Sequence, residues 1–344
     1  MSRFDPPLCP HSSCPSRTHS RPFLWRRKGF YARRCDARSV PRFHCLSCRR
    51  SFSTQTFRLD FRLRKPWLAV AVAKALCAKA SLRKTAEDLE VTRRSVERRL
   101  DLFGPHCQAF HLWMLERHRR RGRCLDGAMT LDELETFEGD RLLAPVTVAL
   151  LTEKRSLFLV DLQTGPLPAR GRLSARDQQR KAERERATGR RRNGSREAVR
   201  GCLQTWRRFG PAPGAYVELH TDQKPSYRKL YREAFAGYLR GMARVSSREK
   251  RDRRNALFVA NHTNAMARDG VSRLVRESWA HSKLRARLEK HLWVWAAFRN
   301  YVRGITRRNW RISAAMALGV ARWKIGWSEL LRWRAPFFHL AATH

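Results

Sequence analysis

The sequence predicts a multidomain α/β protein: a small cysteine-bearing module, a pair of helices, and a mixed sheet with flanking helices. Three observations point there. The chain has 344 residues, which at about 150 per domain is room for two or three domains. Five of its nine cysteines fall within the first 48 residues. Further on, three strand-like segments follow one another closely, and helix-like and strand-like segments then alternate.

Composition narrows the partners. Lys plus Arg is 73 and Asp plus Glu is 30, a net charge of +43. A polyanion, nucleic acid by default, suits such a chain, and small neutral metabolites do not. A hydrophobic fraction of 42% leaves enough apolar surface for a core and argues against a disordered chain. An anionic membrane is the weaker option. The longest apolar run near the front, Trp67-Leu-Ala-Val-Ala-Val-Ala73, is far below the roughly 20 residues of a span. The polar opening, Met1 to Pro7, has no apolar stretch of the signal-peptide kind. A soluble, intracellular protein without a membrane partner is expected. In a reducing compartment its cysteines serve as metal ligands or buried thiols.

Cys9-Pro-His-Ser-Ser-Cys14 and Cys45-Leu-Ser-Cys48 form two pairs with 30 residues between them. Two such pairs can hold one Zn²⁺ tetrahedrally, so Cys9, Cys14, Cys45 and Cys48 are the expected ligands. Cys35 is a spare thiol that could replace Cys9 or Cys14, and His11, His19 and His44 rank below the cysteines. Short strands are expected around Phe30-Tyr31, Val40–His44 and Ser51–Phe57. This is a zinc-ribbon pattern over 1–62.

Residues 63–122 carry helix–turn–helix grammar. An Ala-rich helical stretch runs to Ala80, Ser81 caps a first short helix, and Leu82, Ala86 and Leu89 share one face. Glu90-Val91 is the turn and Thr92 caps the second helix. Val96 and Leu100 point inward, leaving Arg93, Arg94, Arg98 and Arg99 outward as candidate DNA contacts. The alternative is a helical hairpin with a solvated basic face.

From 123 to 301 the pattern changes. Strands are expected at Leu131–Phe137, Leu142–Thr152 and Ser156–Leu162. Residues 170–200 hold twelve Arg/Lys and four Asp/Glu, a net of +8. This reads as a solvated surface segment or a phosphate-contacting loop, with a mobile centre at Gly189-Arg-Arg-Arg-Asn-Gly194. A helix to Phe209, a strand Ala215–Thr221 ending beside Asp222, a helix Pro225–Phe235 and a strand Gly237–Val245 follow. A long helix is expected from Asn261 to about Tyr301, with Leu274, Val275, Leu284, Leu288, His291, Trp295 and Phe298 on one buried stripe. Three antiparallel strands, then helix, strand, helix, strand, helix, is the order of a ribonuclease H-like mixed sheet with flanking helices. The rest, 302–344, reads as a helical basic tail in which Trp310, Trp323, Trp327 and Trp333 are packing residues.

Several of these segments together resemble bacterial insertion-sequence transposases of the DDE type, in particular the first insertion-sequence family and its zinc-ribbon cousins. Cys45-Leu-Ser-Cys48 through Ser51-Phe-Ser53 to Gln55-Thr-Phe57 is similar to their N-terminal finger. Ser81 to Leu100 resembles their helix–turn–helix. Asp132-Glu-Leu-Glu-Thr-Phe137 resembles the strand of the first carboxylate, and His220-Thr-Asp222-Gln-Lys-Pro-Ser-Tyr227 the turn of the second. Asn261-His-Thr-Asn264, with Arg273-Leu-Val-Arg276 and Ser282-Lys283, resembles the block around the third acid.

The resemblance implies a Mg²⁺-dependent enzyme that cuts and joins DNA strands. It would bind double-stranded DNA at terminal repeats and target, as a homo-oligomer, in the cytoplasm among the nucleoid. It implies Asp132 and Asp222 as catalytic residues, with two Mg²⁺ ions clamping the attacking and leaving oxygens. Glu133 and Glu135 are alternatives to Asp132, and a structural turn is the alternative role for Asp222. At the third position Asn261 stands where the relatives carry Glu. Asp269, eight residues on, is about 12 Å further along a helix and is the fallback, with Asp252 and Glu277 as other candidates. The neutral Asn leaves a second reading open: a catalytically degenerate DNA-binding descendant. An RNA-binding protein of related fold is a third.

Overall fold

The computed structural model describes residues 4–17, 22–246, 248–250, 252–275, 279–306 and 308–334. His19, Arg276, Glu277 and Arg307 lie outside them. The chain divides into two compact units, 1–72 with 327–344, and 73–326.

The smaller unit is built on three antiparallel strands, β1 (Trp25–Ala32), β2 (Ser39–Cys45) and β3 (Ser51–Ser53), in the order β1-β2-β3. Its core is aromatic. Phe43 stacks on Phe52 with centroids 5.6 Å apart, Trp25 meets Phe43 edge-on at 5.1 Å, and Phe57 meets Phe52 edge-on at 5.9 Å. So small a core is supplemented by ionic bonds. Asp60 accepts from Arg33 at 2.9 Å, Arg58 at 2.8 Å and Gln55 at 2.8 Å. Burial opposes ionisation of Asp60, but these donors outweigh it and hold the carboxyl down at about 2.

Helix α1 (Ala69–Leu76) carries the chain into the larger unit. There α2 (Leu82–Asp88) and α3 (Arg93–Arg119) form the expected pair. Both caps are present: Ser81 Oγ accepts from Lys84 N at 3.1 Å and Thr92 Oγ1 from Ser95 N at 3.3 Å. The turn passes through Glu90 at φ +49°. Val96 and Leu100 are fully buried. At 27 residues α3 is far longer than the pair alone requires. It continues through Gly104-Pro105 and packs along α8 (Arg285–Ala297). At Gly104 the two come so close that a Cβ would lie 2.6 Å from the Lys290 Cα.

The centre is a five-stranded mixed sheet of β4 (Met129–Phe137), β5 (Pro145–Glu153), β6 (Leu159–Pro166), β7 (Tyr216–Asp222) and β8 (Leu239–Val245), in the order β6-β5-β4-β7-β8. The first three form an antiparallel meander, and β4–β7 and β7–β8 are parallel. Every residue of β5 is buried, as expected of a strand covered on both faces. Between β6 and β7 come α4 (Ala175–Thr188) and α5 (Ser195–Phe209). α5 buries Ala198, Val199, Cys202, Leu203, Trp206 and Phe209, the spacing of one helical face. It packs on β5, β6 and α6 (Pro225–Ala234). α7 (Phe258–Gly270) covers β4 and β5, and α8 covers β6. A π-helical turn (Phe298–Val302) and α9 (Ala314–Ala317) follow in this unit, and α10 (Trp327–Arg332) belongs to the smaller one. Among the described residues no helix is long and apolar enough to cross a membrane.

Three sequence expectations are corrected. The long helix from Asn261 to Tyr301 is broken: α7 ends at Gly270, and α8 begins only at Arg285, so Leu274 and Leu284 lie outside both, the latter exposed. The basic segment 170–200 is mostly the two helices α4 and α5. Its centre, 189–194, is tied to β6 through Gly194 N to Pro166 O at 2.7 Å and Arg191 Nε to Leu167 O at 2.8 Å. Of the tail tryptophans Trp327 is buried, whereas Trp310 and Trp323 stay more than half exposed.

The edge strand β6 has a side-chain partner in place of a sixth strand. Asn300, fully buried in the π-helical turn, accepts from Leu159 N at 2.9 Å and donates to Leu159 O at 2.8 Å. Asn300→Ala removes both bonds and leaves two buried backbone groups unpaired, an expected loss of about 2–4 kcal/mol. Urea unfolding of the variant measures it, and an unshifted midpoint would contradict this role for Asn300.

Candidate functional site

In the smaller unit, strand β2 delivers Cys45 to its end, and the following turn returns through Arg49 at φ +57° with Cys45 N bonded to Arg50 O at 3.0 Å. This brings Cys48 back beside Cys45. Cys9 and Cys14 come from the preceding loop. The four sulfurs lie within 4.8 Å of one another, with Cys9–Cys48 at 3.6 Å and Cys14–Cys45 at 3.7 Å. Four Zn–S bonds of about 2.3 Å in a tetrahedron put neighbouring sulfurs about 3.8 Å apart. The four thiols therefore fit a structural zinc ion, and their core partners Phe43 and Phe52 wall it from water. Cys35 is not part of the cluster.

In the larger unit, the site follows from strand alternation. β4 pairs with β7 at Met129–Leu219 and Thr130–His220. Continuing this register sets Asp132 level with Asp222, the last residue of β7, with both side chains on one face. Asp132 Oδ1 accepts from Glu133 N at 2.8 Å. Asp222 Oδ1 accepts from Lys224 N at 2.9 Å, a turn bond that fixes the carboxylate at the strand end. α7 closes the site from the same face: Asn264 Nδ2 donates to Asp132 Oδ2 at 2.6 Å. Burial pushes the Asp132 carboxyl up to about 6, and the charge of Asp222 pushes it the same way. Asn264 Oδ1 is buried without a hydrogen-bond partner.

Two carboxylates in mutual repulsion beside an orphaned carbonyl oxygen make a hard-oxygen donor set, the kind Mg²⁺ takes. The residues present fit a divalent cation.

Glu133 points to the opposite face and is fully engaged. It accepts from Lys224 Nζ, from Tyr227 Oη at 2.8 Å and from Thr147 Oγ1 at 2.8 Å. Lys224 Nζ also donates to Ser195 Oγ at 2.8 Å. Glu135 is exposed and pairs with Arg170. Neither alternative to Asp132 faces Asp222.

At the third position the structure differs from the sequence reading. Asn264, not Asn261, reaches Asp132. The two lie three apart on α7, on neighbouring parts of one helix face, so spacing alone does not choose between them. Asp269 is exposed near the end of α7. Asp252 accepts from Arg254 N at 2.9 Å in a turn.

Of the candidate DNA contacts, Arg93, Arg94 and Arg98 are exposed, Arg93 with an ion pair to Glu97 at 2.8 Å. Arg99 is 3% exposed, its guanidinium bonded to Ser95 O at 3.0 Å and Ser95 Oγ at 2.6 Å. It braces α3 from within and does not point outward as the helix pattern implied.

No family model matches this chain, and no curated protein matches its sequence. Among solved structures, it is similar to the crystal structure of the catalytic domain of Mos1 mariner transposase. The match covers 58% of this chain and 86% of that one, at 12% identity and a TM-score of 0.24. At that score the likeness carries no argument about activity.

Two outcomes are expected. Chelating zinc should raise hydrogen exchange across residues 4–72 while 73–326 stays protected, because structural Zn²⁺ supplies folding energy locally. Loss of both units in one step would contradict it. Asp132 is harder to ionise in the folded chain than in the unfolded one, where its value is about 4. The stability lost to it is therefore absent below about pH 4 and grows as pH rises toward 6. At pH 7 without added divalent cation, Asp132→Asn should be more stable than wild type by roughly 1–3 kcal/mol. That gain should vanish near pH 4, and a gain equal at both pH values would refute the assignment.

Proposed function

We propose that the chain is a DDE-type transposase of an insertion sequence, acting on double-stranded DNA by metal-dependent phosphoryl transfer. The observation that carries this is the placement of Asp132 and Asp222 level on adjacent parallel strands, with the unpaired Asn264 carbonyl beside them. The strand order β6-β5-β4-β7-β8, with two parallel pairs joined through helices, supports a ribonuclease H-like catalytic domain. The net charge and the exposed Arg93, Arg94 and Arg98 on a capped helix pair support binding to terminal repeats and target DNA. The cysteine cluster supports a zinc ribbon. A homo-oligomer in the cytoplasm belongs to the same reading.

Asp132, Asp222 and the Asn264 carbonyl would hold the catalytic cation. Bound there, Mg²⁺ would supply charge stabilisation for an in-line phosphoryl displacement. The chain's own residues prepare that site. Asp222 is held by its turn bond to Lys224 N, and Lys224 anchors the same turn to β4 through Glu133. Asn264 orients Asp132 by donating to one oxygen and leaves its own carbonyl for the cation. Without a cation, burial and the charge of Asp222 push the Asp132 carboxyl up to about 6, so a cation must displace its proton below that pH and cation binding should weaken as pH falls.

The neutral Asn264 favours one further reading, a descendant that binds DNA without cutting it. Nicking of a plasmid carrying candidate terminal repeats, in Mg²⁺ or Mn²⁺, separates the two. An active enzyme should lose at least roughly a hundredfold in rate with Asp132→Ala or Asp222→Asn. Asn264→Asp, which adds a charge to the donor set, should tighten cation binding about tenfold. Full nicking by Asp222→Asn would sink the catalytic reading. Salt-sensitive DNA binding with no nicking in either metal would establish the degenerate one.

A further inference from the structure

At the far end of β4 lies a groove of about 790 Å³ that the acid pair does not use. Its walls are the end of β4, the segment after β6, the last turns of α4 and the 189–194 loop, with Arg285 at the start of α8. Six cations line it against two acids. Three are matched by acids: Arg191 with Glu138 at 2.8 Å, Lys181 with Glu185 at 3.7 Å, and Arg184 with Asp140 at 3.7 Å. Among the described residues Arg190, Arg192 and Arg285 have no acidic partner within ion-pair distance.

The loop carrying two of these cations is held in place. Arg191 Nη2 donates to Pro145 O at 3.0 Å, in addition to its bonds to Glu138 and Leu167 O. Gly165 and Gly194 touch backbone to backbone, so closely that a Cβ on Gly165 would collide with the Gly194 carbonyl. Arg190 and Arg192 therefore stand on either side of a fixed Arg191 in the sequence, and ordering them on a ligand costs little backbone entropy.

We propose that this groove binds the phosphodiester backbone of duplex DNA flanking the reacting phosphate. The inference rests on the reading of the acid pair as a DNA-cutting site and deepens it. Glu138 is six residues beyond Asp132 on the same strand run, roughly 20 Å at about 3.4 Å per residue. That span is about six base pairs of a duplex, at 3.4 Å per phosphate along each strand. A groove with three unpaired, spaced cations at that distance suits successive backbone phosphates. Among the described residues it has no aromatic lining on which bases would stack.

The test is the salt dependence of binding to a 40-base-pair duplex by the full chain. Arg190→Gln, Arg192→Gln and Arg285→Gln together should flatten the slope of log K against log salt by about 2–3, at 0.9 per phosphate contact. A matched control removes Arg200, Arg207 and Arg208, which are exposed on α5, and should leave the slope nearly unchanged. A thermal melt checks that both variants are folded. Equal flattening in both variants, or none in the groove variant while wild type binds and nicks DNA, would overturn the groove and leave the acid-pair reading standing. Flattening seen with a structured RNA and absent with duplex DNA would also overturn it. Loss of nicking in Asp222→Asn with the groove effect intact supports both, and a wild type that does not bind duplex DNA removes both.

Discussion

β4 and β7 run side by side in the same direction for two residue pairs, and the larger unit is arranged around that contact. Parallel neighbours cannot be joined by a tight turn. The chain between them must leave the sheet and return, and β5, β6, α4 and α5 make that journey. The return register is what sets Asp132 against Asp222. A shift of one residue would turn one carboxylate to the other face of the sheet, so the bonds of Lys224 and Tyr227 to Glu133, which tie the segment after β7 to β4, are as much part of the site as the acids are.

Adjacent positions on β4 show two ways of burying an acid. Glu133 is surrounded by donors from Thr147, Lys224 and Tyr227, and its charge is satisfied within the fold. Asp132, one residue earlier, meets one backbone N–H, one amide and the charge of Asp222. The first arrangement is complete in itself and ties the turn after β7 to the sheet. The second stays under-compensated until something positive joins it. Asp161 is a third case: it is also buried and pushed up to about 6, chiefly by burial. There donors from Thr205, Gln163 and the Leu162 N–H surround it, and Glu289, whose charge also pushes it up, is itself bonded to Thr164 Oγ1 at 2.6 Å. A raised carboxyl alone does not mark the centre; two under-compensated acids beside an unpaired carbonyl do.

Much of this was legible in the sequence because it depends on local spacing. The cysteine pairs, the caps at Ser81 and Thr92 and the order of strands are written within a few residues of each other. What was not legible depends on tertiary contacts. Asn261 and Asn264 sit on one helix face, and only the tilt of α7 over β4 selects the second. Arg99 looks outward on a helical wheel, but α3 turns that side inward and Ser95 accepts two of its hydrogen bonds. The 189–194 loop has the composition of a free segment, and its order comes from carbonyls of Pro145 and Leu167, far away in sequence.

The Asn300 clasp on Leu159 bears on how copies of this chain can meet. A sheet edge with free N–H and C=O groups is an invitation to strand addition, which leads to runaway association. At Leu159 both groups are already spoken for. At the opposite edge β8 exposes Leu239 but also carries Arg240 and Arg244, and two such strands brought together would repel. Strand addition is opposed at the start of β6 by Asn300 and along β8 by like charge, which steers any multimer this chain forms toward contacts between side chains, of finite size and able to come apart.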